Sequence, residues 1–157
     1  MYRFLTKIVS GGQTGADRAA LDWAIEHGIP HGGWCPKGRM AEDGAIEIRY
    51  HLTETSSAGY IQRTGWSVRD SDGTVIFTIA EKLLGGSKRT KELAQKHHKP
   101  CLHLSKALYD QAAGAPGLLD FVQKHWIKVL NVAGPRASKE PEVADFVKAV
   151  LEQALAA

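Results

Sequence analysis

The stretch Phe4-Leu5-Thr6-Lys7-Ile8-Val9-Ser10-Gly11-Gly12-Gln13-Thr14-Gly15-Ala16-Asp17 decides the fold of this chain. An apolar run of strand length meets a glycine-rich turn, and a helical pattern begins at once, with Leu21, Ala24, Ile25 and Gly28 on one face. Strand, glycine loop and helix in that order present backbone N–H groups to an anion. The first N–H groups of a helix have no intrahelical partner, and the helix dipole is positive there. Gly11, Gly12, Gln13, Thr14, Gly15 and Asp17 are therefore candidate binding residues, with an unliganded βα turn as the alternative. Of two better-known phosphate motifs, one is disfavoured and the other absent. A dinucleotide fingerprint needs glycine where Ser10 stands and an acidic residue roughly 20 positions on, where this chain has the basic run Trp34-Cys35-Pro36-Lys37-Gly38-Arg39. A P-loop needs Lys-Ser/Thr after its last glycine, and Arg39-Met40 follows Gly38.

Working outward, the pattern alternates. Strands are expected over Leu5–Ser10, Pro30–Cys35, Thr74–Ile79, Cys101–Leu104 and Lys128–Ala133. Helices are expected over Gly15–Glu26, over Tyr60–Val68, through Leu93, Ala94 and His97 up to Pro100, from Pro116 through His125, and through Val143–Ala154. Ile46, Ile48, Tyr50 and Leu52 alternate with polar residues, which suggests a strand or an extended lid between Met40 and Ser57. Strands separated by helices imply right-handed crossovers, hence an α/β, Rossmann-like fold with a mostly parallel sheet covered on both faces. The 157 residues are expected to form a single domain, 1–157.

Composition narrows the partners. A formal net charge of +3 suits an anionic small molecule better than a nucleic-acid backbone, so no nucleic-acid partner is expected. No apolar run is long enough to span a bilayer and the start lacks a signal-peptide pattern, so a cytoplasmic protein without a membrane partner is expected. Cys35 and Cys101 are two isolated thiols, and His97-His98 has no metal-ligand spacing, so no metal ligands are assigned.

In a parallel sheet all strand carboxyl ends share one edge, where ligands bind. The loops Gly11-Gly12, Gly85-Gly86 and Gly134 all follow strands and converge there. Thr14 and Ser87 offer hydroxyls near helix starts, Ser87 equally as a plain N-cap. Lys37, Arg39, Lys88, Arg89 and Arg136 are candidate cations for the same anion.

The runs Gly11–Asp17, Gly32–Arg39, Ala41–Gly44, Thr53–Thr55 and Asp70–Thr74 resemble those of the putative molybdenum carrier proteins, the molybdenum cofactor carrier group. The resemblance is clear to about Pro100 and weaker beyond. It implies a Rossmann-like protein, usually a homo-oligomer (dimer or tetramer), that holds the molybdenum cofactor (molybdopterin), a pterin dithiolene with a terminal phosphate, with molybdoenzymes as recipients. The same superfamily includes cytokinin-activating phosphoribohydrolases, whose signature is P-G-G-x-G-T-x-x-E. Here Gly85, Gly86, Thr90 and Glu92 match it, while Leu84 replaces the proline and Arg89 the third glycine. The expected binding set is thus the first loop, Lys37, Arg39, Gly85, Gly86, Ser87, Arg89 and Thr90, with no catalytic residue assigned. Trp34 or Trp66 would either stack on the pterin or serve as core or interface anchors, and Cys35 would either approach the metal or fill a core position. The alternative is a phosphoribohydrolase-type enzyme acting on nucleoside monophosphates through Glu54, Asp72 or Glu92. A nucleotide-sensing module is a third reading.

Overall fold

The structure, a computed structural model, describes residues 5–109 and 111–156, and Phe4 lies outside them. Five strands form the main sheet: β1 (Lys7–Val9), β2 (His31–Gly32), β7 (Gly73–Thr78), β8 (Cys101–Ser105) and β9 (Val129–Ala133). Their order is β2-β1-β9-β7-β8 and every neighbouring pair is parallel. The expected α/β, Rossmann-like architecture is present. The helices are α1 (Ala16–Glu26), α2 (Tyr60–Arg69), α3 (Gly85–Lys96), α4 (Gln111–Lys124) and α5 (Val143–Leu155). α1 and α4 pack on α5, and α2 packs on α3, so the two groups cover opposite faces of the sheet.

Sequence explains the centre well. All six residues of β7 are buried, as its continuous β-branched and aromatic run requires of a central parallel strand. Ile8, Val75, Phe77, Leu104, Leu130 and Val132 join Leu118, Phe121, Phe146, Val147 and Val150 in one apolar core. Each such side chain contributes about 1.5–3 kcal/mol by leaving water. A smaller cluster, Val68, Leu93 and Ala94, joins α2 to α3.

The expected second strand is broken. Gly33, at φ +128°, sits so tightly on the Ser10 backbone that a Cβ would lie 2.8 Å from its nitrogen. The chain leaves the main sheet there, and β3 (Trp34–Cys35) pairs instead with β6 (Thr53–Glu54) in a two-stranded ribbon. Between them lies a short antiparallel hairpin, β4 (Met40–Ala41) and β5 (Gly44–Ala45). The alternating run 46–52 forms no strand. Ile46 and Tyr50 are buried with Leu21 and Cys35, while Ile48 is 88% exposed. The Arg39 guanidinium donates to the carbonyls of Ile46, Glu47, Tyr50 and Leu52, taking the place a partner strand would hold. Helix α4 starts at Gln111, so Pro116 lies inside it instead of opening it.

Candidate functional site

The chain moves from β1 to β2 on one side of the sheet and from β7 to β8 on the other, with β9 between β1 and β7. A topological switch of this kind opens a crevice at the strand carboxyl ends. A cleft of about 270 Å³ lies there, lined by the segments that follow β1, β7 and β9 and by one face of α2.

The first glycine loop contributes Gly11, Gln13 and Asp17 to this cleft. Several of its N–H groups are already engaged. The Asp17 carboxylate accepts the N–H of Gln13 at 3.3 Å. Ser10 Oγ accepts from Gly12, the Gln13 amide oxygen from Thr14, and the Pro135 carbonyl from Ala16. Arg18 holds the far side of the loop by donating to the Gly12 carbonyl and to Asp43. The Thr14 hydroxyl donates to Glu42 and accepts the Ala137 N–H. Glu42 also accepts from the Ser138 hydroxyl and N–H, and the hydroxyls of Ser138 and Thr14 hold its carboxyl below the usual range. The loop is a closed knot with its own carboxylate in the anion seat.

The second loop is open. Helix α3 starts at Gly85 after the extended Leu84, with no side chain capping it and no acidic residue in its first turn. Its leading N–H groups therefore keep their donors and its dipole is not offset. Gly86, Ser87 and Thr90 line the cleft beside this terminus. Ser87 is buried without acting as an N-cap, and Thr90 donates to the Gly86 carbonyl at 3.0 Å. Arg136 and Lys139, from the segment after β9, also line the cleft, and Tyr60 and Leu84 give the mouth an apolar rim.

Helix α2 supplies residues that the motifs did not single out. Tyr60, Arg63, Thr64 and Ser67 occupy the i, i+3, i+4, i+7 stripe that an ordinary amphipathic helix fills with apolar side chains, whereas Ile61 is exposed. That inverted stripe was the available signal. Arg63 is buried, stacks over the Tyr60 ring at 4.8 Å, and reaches Asp17 Oδ2 at 3.5 Å and the Gly11 carbonyl at 3.3 Å. Burial pushes Asp17 up to about 6 against the opposing pull of Arg63 and the loop N–H groups. Arg63 Nε and Asn131 Oδ1 are buried without a hydrogen-bond partner, although both residues line the cleft.

Of the expected binding set, Gly11, Gln13, Asp17, Gly86, Ser87 and Thr90 come together in the cleft lining. Gly12, Thr14, Gly15 and Gly85 shape the two loops from outside it. Lys37 and Arg39 lie in the turn after β3, with Lys37 exposed and Arg39 holding carbonyls. Arg89 is on the exposed side of α3, 3.6 Å from Glu92. Nor do the candidate acid–base residues line the cleft: Glu54 accepts the Gly38 N–H, and Asp72 accepts those of Lys128 and Val129. Trp34 and Trp66 pack edge to face on each other, and Trp34 Nε1 donates to Asp70. Cys35 is fully buried with Leu21, Ile46 and Tyr50, where burial raises its pKa. Among the described residues, no three His, Cys, Asp or Glu side chains group to hold a metal ion, and no helix is long and apolar enough to cross a membrane.

Comparison with known proteins gives two matches. The model of the circularly permutated YpsA SLOG family fits residues 8–155. The fold matches the 1.45 Å crystal structure of a putative molybdenum carrier protein from Syntrophus aciditrophicus SB with a TM-score of 0.94. The two sequences are 48% identical over 96% of this chain and 95% of that one. No curated protein matches. Nearly the whole chain is thus accounted for by one family, and the protein belongs to the circularly permutated YpsA SLOG family.

Proposed function

We propose that the cleft binds the phosphate end of an anionic, ring-bearing small molecule, the molybdenum cofactor, and that the protein carries this cargo without transforming it. The observation that carries the reading is the uncapped first turn of α3, opening on the cleft that Arg136 and Lys139 also line. A phosphate there takes helix N–H donors and two charge-assisted contacts, each worth about 1.5–3 kcal/mol where water is excluded and less at an exposed rim. Tyr60 and Leu84 offer a flat apolar surface to a ring attached to that phosphate. The relative from Syntrophus aciditrophicus is called a molybdenum carrier, which supports this choice of cargo. Molybdoenzymes would be the recipients, in the cytoplasm.

Binding requires only complementary donors, whereas catalysis requires groups that favour a transition state over the bound ground state. Glu54, Asp72 and Glu92 are absent from the cleft lining, which favours the carrier over a nucleotide hydrolase. Self-association as a dimer or tetramer belongs to the same reading, supported by exposed apolar side chains such as Ile48, Leu84 and Trp126. The test is the ligand that copurifies. Molybdenum by metal analysis together with the fluorescence of the oxidised pterin is expected. Release of base from nucleoside monophosphates, abolished in a folded Glu92→Gln variant, would replace the carrier with the hydrolase.

A further inference from the structure

The two sides of the cleft differ in a way that selects the ligand. A dinucleotide or diphosphate bound across such a switch point places phosphoryl groups on the glycine loop after the first strand. In this protein that position is already filled. The Asp17 carboxylate takes the N–H of Gln13, and it engages Arg63, the buried cation nearest the loop. Across the cleft, the first turn of α3 holds no acidic residue, and Arg136 and Lys139 line the cleft beside it, Arg136 with its Nε 3.8 Å from Glu42 Oε1. Arg63 is only 6% exposed and Asn131 1%, yet each keeps one polar atom without a partner on the cleft lining, as a site that receives a polar ligand would.

We infer that this cleft selects a single phosphoryl group, a phosphate monoester, and disfavours a pyrophosphate, with Asp17 as the specificity-determining residue. The inference rests on the phosphate site proposed at α3. A second phosphoryl group directed toward β1 meets an ionised carboxylate in a poorly hydrated pocket, where like charges repel far more strongly than in water. There the Asp17 carboxylate already accepts the Gln13 N–H and pairs with Arg63, of which only Nε is left without a partner. Asp17 thus does internally what a second phosphate does in a dinucleotide site.

Calorimetric titration of the purified full-length protein with inorganic phosphate and with inorganic pyrophosphate tests this, at pH 8 where Asp17 is ionised. Overall charge attraction favours pyrophosphate, so a preference for phosphate cannot arise from net charge. Phosphate is expected to bind at least about tenfold more tightly. Asp17→Asn is expected to bring the ratio toward unity, with circular dichroism monitoring the fold. If that variant does not fold, the ratio on the unaltered protein decides alone. Pyrophosphate binding as tightly as phosphate overturns the inference and leaves the α3 site standing. Binding of neither anion overturns both.

Discussion

The β1–α1 and β7–α3 loops carry the same sequence signature, a glycine pair followed by a helix, and have opposite fates. The first is closed by its own residues: Ser10, Asp17 and the Gln13 amide take the N–H groups of Gly12, Gln13 and Thr14, and Arg18 and Glu42 lock it to neighbouring segments. The second begins a helix with no cap, no acidic side chain and a cleft in front of it. The difference teaches that a glycine turn encodes a backbone shape, while the availability of its donors depends on which side chains fold back onto it. A carboxylate two residues past the last glycine is enough to convert an anion receptor into a structural knot.

The comparison is broken most severely at the glycines themselves. Gly15 has φ +81°, and a Cβ there would lie 2.8 Å from the Ala137 nitrogen, whereas the space at Gly85 is open to 3.7 Å. Gly15→Val should lose about 4 kcal/mol or more of unfolding free energy, and Gly85→Ala about 1 kcal/mol, by thermal or urea unfolding. The closed loop is predicted to be the structurally demanding one. The open loop should dominate binding. Replacing Arg136 and Lys139 together by Gln should weaken phosphate binding by about tenfold or more, roughly 1.4 kcal/mol, and flatten its salt dependence. The same change at Lys88 and Arg89 should alter affinity less than about twofold, since Arg89 pairs with Glu92 away from the cleft. Equal losses from the two pairs would show that the phosphate sits elsewhere.

Asp17 sharpens the contrast through pH. Its folded pKa of about 6 stands above the ordinary 3.8, so protonation favours the folded state. The stability this group contributes is complete below the unfolded value and is lost as pH rises through about 6. Between pH 7.5 and pH 5 the gain is about 1.4 kcal/mol, and unfolding of Asp17→Asn at the two pH values should lack it. An unchanged difference would mean that the carboxylate is not buried as described. The smallest effect is expected at Glu92. Glu92→Gln removes one exposed ion pair on α3 and should shift stability by less than about 0.5 kcal/mol.

Much of this molecule was legible in order along the chain. The apolar runs Thr74–Ile79 and Lys128–Ala133 and the helical stripe Val143–Ala154 each encode their element locally, through side-chain periodicity alone. The segment from Gly33 to Thr55 was not legible, because its shape depends on non-periodic contacts. Arg39 replaces a partner strand, and the Ser10 backbone forces the break at Gly33. In the site, six of the expected residues met in the cleft because they lie on loops that the parallel sheet brings to one edge. Lys37, Arg39 and Arg89 did not, because a charge near a glycine in sequence can point to either side of its element.

The sequence by itself determined the α/β class, the strands and helices of the main sheet, and the glycine turns at its carboxyl edge. These follow from local backbone freedom and from patterns of burial that repeat every two or 3.6 residues. Only the tertiary structure decided which turn keeps its donors. It also decided that Arg63 and Asn131 face one cleft and that Asp17 acts as an internal anion. Those outcomes depend on side chains that meet across dozens of positions in the chain. Hydrogen-bond satisfaction in a buried site is set by the neighbours that arrive in space, which no local pattern specifies.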